Sequence, residues 1–448
     1  MPDIPIPSPV RDPLSAPVPL RSARPRIAII GAGVNGLGIG WRLAHAGCAV
    51  DVYDRGPVGR EASWAAAGML AAGLEAEPGE EALFALCRHA QDLWPALARE
   101  VEAASDLPVG YRGDGTLAVA LTRDDAAELR FSAEFQAKLG VQLEWLTAAE
   151  ARRREPMLRP GLAAAVLSPA DHQVDNRLLV PALVEALRRA GGAVHDHAPV
   201  EAVAADGGRA TGVVVAGEAR PADVVVLAAG AWSGTIAGIP AEALPPVRPV
   251  KGQTLALQMD PAAPLLRHVV WAGKAYLVPR LDGRLIIGAT VEERGFDTTI
   301  TAGGMLSLLD AAWRVLPGIE ELPLIESWPA CAPAAATMRR SWGRRRWTGW
   351  SWPRGTTAMA SCFCPRRSRR WPGWCWTGSC RQRPGRSGST VSPACRRPRN
   401  ECHREWRGRG GRTRHQRAGP SGRARYRSRG AGHGRGLERR RAAAGALA

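Results

Sequence analysis

No uninterrupted apolar run in these 448 residues approaches the roughly 20 needed to cross a bilayer, so no membrane-spanning helix is expected. Cysteine is nearly missing from the first 328 residues. Only Cys48 and Cys87 occur there, too few for a disulfide framework, which points to a reducing, cytoplasmic compartment. Met1–Arg24 lacks the charged and apolar stretches of a signal peptide, and its prolines read as a flexible extension. No internal repeat is visible.

The last 120 residues lack still more. From Pro329 to Ala448 there is no Ile, Lys or Asp, and only one Val, one Phe and two Leu. The same stretch holds 30 Arg, eight of the 16 Trp and seven of the nine Cys. Its only acids are Glu401, Glu405 and Glu438, which leaves it at +27, whereas residues 1–328 carry 30 basic against 39 acidic groups. The sequence pI of 10.7 therefore belongs to the tail alone. Such a composition cannot build an aliphatic core, and disorder is expected there.

What is present begins at Arg26. The aliphatic run Arg26–Ile30 ends in Gly31-Ala32-Gly33-Val34-Asn35-Gly36, apolar residues then recur at helical spacing, and a second run, Ala49–Tyr53, closes on Asp54. GxGxxG alone is weak, but within a strand–turn–helix–strand unit it is strong. Gly31 permits the tight turn, Gly33 lets the backbone approach a pyrophosphate, and Gly36 lets the helix sit close on the strand. The helix N-terminus offers N–H groups and partial positive charge to phosphates, and Asp54 is placed for ribose hydroxyls. Further along, Glu80–Ala104 and Leu178–Ala190 read as helices, Gly115–Leu121 and Asp223–Ala229 as strands, and Met305–Val315 as the last amphipathic helix. Short β segments at Gln253–Gln258, Ala275–Val278 and Arg284–Gly288 suit an antiparallel sheet.

The turn motif does not choose between a nicotinamide and a flavin. In Arg60–Leu70 (REASWAAAGML) small residues would let the backbone lie against a large planar ligand. Here the chain resembles the FAD-dependent amine oxidases of the D-amino-acid oxidase group, and within it the glycine-oxidase branch of thiamine biosynthesis. The likeness continues through His172–Asp175, Ala198–Val200, Ala229–Ser233, Pro249–Gln253, Ala275–Arg280 and Gly288–Thr290, and covers residues 26–328. The resemblance implies that Gly31, Gly33, Gly36, Asp54, Ala62, Ser63, Ala67, Gly68 and Met69 surround FAD. It also implies that Val200 meets the adenine end through its backbone and that Gly230 lies near the isoalloxazine. Tyr276, which position alone would make a half-buried strand tyrosine, would present its hydroxyl to the substrate. His172, His195 and His197 read as satisfied surface histidines, because the family's hydride transfer from Cα to flavin needs no protein base.

The implied reaction oxidises glycine or a small secondary or D-amine to an imine that hydrolyses to glyoxylate and ammonia. O2 would reoxidise the flavin to give H2O2. Alternatives are a sarcosine-oxidase-like or D-amino-acid dehydrogenase relative and, outside enzymes, a basic nucleic-acid-binding protein acting through the tail. The implied fold is α/β. Residues 25–105 and 165–245 would form a Rossmann-like FAD-binding domain, with an antiparallel β-rich substrate domain inserted as 106–164 and 246–328. The partners expected are a small amino acid and O2, a homo-oligomer being compatible, with no nucleic acid and no membrane.

After Trp328 the chain departs from the family. The expected Trp-Ala-Gly-Leu-Arg-Pro-Gly, whose arginine fork would pin the substrate carboxylate, is replaced by Trp328-Pro329-Ala330-Cys331-Ala332-Pro333. With GC-rich codons, one base lost after the Trp328 codon accounts for this. Shifted by one base, the next codons read Ala-Gly-Leu-Arg-Pro-Gly, and Ala334–Pro365 read on to Gly-His-Tyr-Arg-Asn-Gly-Ile-Leu-Leu, the family's closing stretch. Asn400–Gly408 can then read as the start of a small sulfur-carrier protein of thiamine synthesis. On this reading Arg and Trp clusters such as Arg344–Trp347 and Trp371–Trp376 are out-of-frame translation rather than a nucleic-acid surface, and Cys362, Cys364, Cys375 and Cys380 match no standard zinc spacing.

Overall fold

Val, Ile and Ala dominate Arg26–Ile30, Ala49–Tyr53 and Val224–Leu227, as befits strands buried on both faces. The computed structural model of the chain describes residues 24–335 apart from Lys274, together with the backbone of Trp350 and Ser351. In it these strands lie side by side in a parallel five-stranded sheet, ordered Trp350–Ser351, Val224–Leu227, Arg26–Ile30, Ala49–Tyr53, Ala193–His195. Alternation sorts their side chains. Ile27, Ile29, Val50, Val52 and Val226 pack under the helices Val34–His45, Glu81–Ser105 and Asn176–Arg189. Ala28, Ile30, Val225 and Leu227 face Val203 and Val213 of a three-stranded antiparallel sheet, Val200–Asp206, Arg209–Val215 and Glu218–Pro221.

The second layer is an eight-stranded sheet. Its order is Leu324–Ala335, Val247–Gln258, Arg284–Gly288, Ala275–Pro279, Val269–Ala272, Thr116–Ala120, Ala164–Ser168, Glu144–Leu146. It is antiparallel except where Val269–Ala272 meets Thr116–Ala120 in parallel, so the sheet expected as antiparallel is mixed at one pairing. Leu308, Ala312 and Val315 of the helix Ala302–Val315 cover one face against Leu255, Leu277 and Ile287. The other face packs against Ala65, Ala67, Met69 and Ala71. Strand Ala164–Ser168 pairs with Thr116–Ala120, so the sheet division falls after Ser168, later than the expected break at 164.

Two expectations about the tail need correction. The strand that carries Trp328 does not end there: it runs to Ala335, paired with Val247–Gln258 as far as Val247↔Ala335. Prolines 329 and 333 are compatible because this is an edge strand, where a missing N–H need not break the ladder, and Cys331 and Ala334 are buried beneath it. The sheet edge beside Val225–Val226, which loss of the family's closing stretch would leave bare, carries a two-residue pairing from Trp350–Ser351. The rest of the tail, including the frame-slip, zinc and nucleic-acid readings, lies outside the described residues, as do residues 1–23.

Candidate active site

The Gly-rich turn is constrained at every glycine the motif requires. Gly31 has φ +103°, and a Cβ there would stand 2.4 Å from Ala228 O; its N–H donates to Tyr53 O at 2.8 Å. A Cβ on Gly36 would lie 1.9 Å from Gly31 O, a backbone collision that no rotamer relieves. Gly33 is the N-cap of helix Val34–His45, which has no side-chain cap and no acid in its first turn. No carboxylate on this helix therefore offsets its positive dipole end, which suits an anion. Ser63 Oγ accepts from Val34 N at 2.9 Å, leaving the hydroxyl proton to donate.

Asp54 closes the cradle. Its Oδ2 accepts from Ala32 N at 2.7 Å and its Oδ1 from Gly56 N at 3.1 Å, and each oxygen keeps a second lone pair for a ribose hydroxyl. Ala198 N donates to Asp54 O at 2.7 Å, which leads the chain to Val200, whose side chain is buried with Ile30 and Tyr53. Gly230 opens a single 3-10 turn, Gly230–Thr235, with φ +52° and open space where a Cβ would be. These features fit a dinucleotide. Gly36→Ala is expected to abolish retention of bound flavin, read as loss of visible absorbance in the purified protein.

Beyond the turn, Ala62–Ala65 forms one helical turn and Met69–Leu70 pairs with His172–Gln173. Gly68 between them has φ +66°, with Val174 O 2.0 Å from its would-be Cβ. Buried Arg280 ties this segment to the large sheet. Its guanidinium donates to Ala67 O (2.7 Å), Val174 O (3.0 Å), Gln173 Oε1 (3.0 Å) and Asn176 Oδ1 (3.1 Å). Asn176 in turn donates to the carbonyls of Ser63 and Trp64. Burial lowers Arg280 to about 10, with Asp175 opposing, and it stays charged at neutral pH.

Tyr276 belongs to a row that crosses the sheet. Trp328 pairs with Thr254, and Tyr276 pairs with Gly288 on one side and Trp271 on the other. A Cβ on Gly288 would lie 2.6 Å from Tyr276 Oη, so the ring lies across that glycine. Burial first, then the charge of Glu75, raises the phenol pKa. Ala65, Ala67, Met69 and Ala71 pack against this row, and Trp328 Nε1 donates to Ala65 O at 3.0 Å. Arg177 covers Trp64 and Trp328, 3.7 and 4.5 Å from their ring centroids, and pairs with Glu326 at 2.7 Å.

The fold thus gathers ten of the twelve expected residues into two linked groups and leaves Val200 and Gly230 outside both. Gly31, Gly33, Gly36, Ser63 and Asp54 form the cradle, and Ala67, Gly68, Met69 and Tyr276 meet at the sheet face, with Ala62 at the start of the linking turn. His172 and His195 have partners, Tyr111 and Pro169 O for one and Asp51 for the other. The sequence motifs include Arg280, Gln173 and Trp328 without marking a role for them, and they do not include Thr254, Glu75 or Asn176. Among the described residues no helix is long and apolar enough to cross a membrane, and no cluster of His, Cys, Asp or Glu could hold a metal ion.

Comparison with known proteins agrees with this geometry. The family model described as FAD dependent oxidoreductase matches residues 26–362. The chain is 34% identical over 311 residues to glycine oxidase from Geobacillus kaustophilus, covering 68% of this chain and 81% of that one. It is 33% identical over 311 residues to a bifunctional ThiO/ThiG protein from Trichormus variabilis, covering 69% of this chain and 46% of that one. The crystal structure of the Geobacillus kaustophilus glycine oxidase superposes with TM-score 0.67 at 30% identity, covering 75% of this chain and 92% of that one. A basic nucleic-acid-binding protein finds no support in these likenesses. A cradle for a dinucleotide, a small-residue segment against an aromatic sheet face and relatives of this kind agree, and the chain belongs to the family of FAD-dependent oxidoreductases as an amino-acid oxidase.

Proposed function

We propose that the chain is built to oxidise glycine, or a small secondary or D-amine, to an imine that water converts to glyoxylate and ammonia, in service of thiamine thiazole synthesis. The observation that carries this is the packing of Ala65, Ala67 and Met69, just beyond the nucleotide cradle, against the sheet face that holds Tyr276, Trp271 and Trp328. The relatives named glycine oxidase and ThiO/ThiG support the substrate and the thiamine role. When bound, FAD would supply the acceptor for the hydride from Cα and the electrons that reduce O2. The protein's own part is placement. Gly33, Ser63 and the helix start would hold the pyrophosphate, Asp54 the ribose, and Arg280 would keep Ala67 and Gly68 against the ring. The indoles of Trp271 and Trp328 exclude water on either side of the Tyr276 phenol, which donates to the substrate. We further infer that the literal chain is impaired, because Ala332 stands where the family's carboxylate-binding arginine would be.

The test is to purify the protein with the frame restored after the Trp328 codon, in the presence of flavin, and offer glycine, sarcosine and D-alanine, with O2 or a quinone as acceptor. Yellow protein that releases peroxide from glycine supports the reading. Oxidation that requires the quinone would favour a dehydrogenase, and a folded protein that takes up no flavin would overturn the reading. Tyr276→Phe should raise KM for glycine about three- to tenfold with little change in flavin content, the cost of one net hydrogen bond. An unchanged KM would remove the phenol from the site.

A further inference from the structure

Three strand ends surround the nucleotide cradle. In the parallel sheet Arg26–Ile30 lies between Val224–Leu227 and Ala49–Tyr53, so the segments that follow the two outer strands flank the Gly-rich turn that follows the middle one. The outer strands are two strand spacings, about 10 Å, apart, a gap that long side chains can span. Arg55, next to Asp54, and Trp232, in the turn Gly230–Thr235, meet: the guanidinium carbon lies 3.7 Å from the indole centroid. Arg55 also pairs with Glu61, two residues before the Ser63 that accepts from Val34 N. The pair therefore spans the end of the sheet that carries the cradle.

A third ring braces it. Phe296 stacks on Trp232 with centroids 5.0 Å apart and planes 23° from parallel. It comes from the other sheet, in residues 289–301, which join strand Arg284–Gly288 to helix Ala302–Val315. Buried groups fix this segment. Lys251, 1% exposed, meets Asp297 at 3.0 Å and Glu292 at 3.7 Å, and exchanges backbone hydrogen bonds with Glu292 at 3.0 and 2.9 Å. Gln253 Nε2 donates to Glu292 Oε1 at 2.6 Å, and Gln253 Oε1 accepts from Thr301 N at 2.8 Å. A buried lysine is costly to leave unpaired, so Asp297, and with it the neighbouring Phe296, is held in place. Cys331 of the edge strand donates to Gly295 O at 3.6 Å, and its thiol pKa is raised by burial and then by Glu61 and Asp297, so both ends of the stack converge on one strand. The rings themselves lie near the surface, Phe296 being 43% exposed and Trp232 half-buried. A rigid base and a lightly fastened outer stack suit a part that opens and closes.

We propose that Arg55, Trp232 and Phe296 form a bar across the mouth of the cradle that slows both the entry and the release of the flavin nucleotide. Phe296 is the fixed brace, and Arg55 and Trp232 are the parts that swing aside. The inference concerns the handling of the cofactor and does not depend on which amine is oxidised. Because the stack stands closed before and after binding, its energy cancels from the affinity and remains in the barrier to both steps.

Stopped-flow flavin fluorescence of the full chain tests this in wild type, Phe296→Ala and Phe296→Tyr. Phe296→Ala should take up and release FAD about three- to tenfold faster, the loss of one aromatic pair, with Kd changed by less than about twofold. Phe296→Tyr, which keeps the ring, should retain the wild-type rates. Faster release with unchanged entry would make the ring an ordinary cofactor contact and would overturn the proposal, as would unchanged rates in Phe296→Ala. Urea midpoints without flavin should agree among the three proteins. A lower midpoint with wild-type rates would mark a merely structural role and would also overturn it. A chain that takes up no flavin in any form would overturn it together with the cradle reading, and is recognised by the absence of any fluorescence change.

Discussion

Restoring one base after the Trp328 codon is expected to raise glycine-dependent peroxide formation by about 30-fold to several thousand-fold over the literal chain. The range follows from the cost of removing one partner of a buried, hydrogen-bonded charge pair, about 2–5 kcal/mol, at about 1.4 kcal/mol per decade. Geometry adds a reason. Strand residues two and four apart share a face, so Ala330 and Ala332 project on the Trp328 side of the sheet, toward the row that contains Tyr276. Ala332, opposite Val250, is the position that reads as arginine in the shifted frame. Ala332→Arg in the otherwise literal chain should therefore recover part of the gain, seen chiefly as a lower KM. The remainder would come from the restored closing segment, since among the described residues the parallel sheet has only Trp350–Ser351 beyond Val224–Leu227. Equal turnover by the literal and the restored proteins would show that the arginine is dispensable. Sequencing the DNA at this codon decides whether the base is absent.

Replacing Arg280 by Met should destabilise the protein by about 3–5 kcal/mol and release flavin, the expected result of breaking a buried charged hydrogen-bond network. Ala67 O, Val174 O and Gln173 Oε1 would lose their guanidinium donor in a dry interior, while Asp175 would keep Arg284 at 2.7 Å. Arg280→Lys should rescue little, because a point charge on a flexible stem cannot reach acceptors on both sides of a planar fork. Arg284→Met, which removes only the outer partner, should cost much less. Urea midpoints and flavin absorbance of the three variants measure this, and a wild-type midpoint for Arg280→Met would show that the two layers are held by apolar packing alone.

Local physics made part of this molecule legible. The strands Arg26–Ile30, Ala49–Tyr53 and Arg284–Gly288 have the bounds expected from aliphatic runs ended by Gly or Asp, and the Gly31–Gly36 turn follows from sterics within one βαβ unit. Other local signals were present and unread. Helices Arg123–Lys138 and Ala148–Arg154 both start with capping boxes, Thr122 with Asp125 and Thr147 with Glu150, which announce a helix before any tertiary contact forms.

What composition could not decide is where order ends. Pro329–Ala335 has little aliphatic character, yet it is a strand, because Val247–Gln258 offers it a ladder and edge position tolerates its prolines. The Arg280 clamp joins residues more than 100 positions apart, and Glu75 owes its raised pKa to burial and to Asp171, 96 residues away in the chain. The sequence by itself determined the nucleotide cradle, whose sterics are local. Only the tertiary structure decided which buried polar groups meet, because burial and long-range pairing exist only once the two sheets have packed.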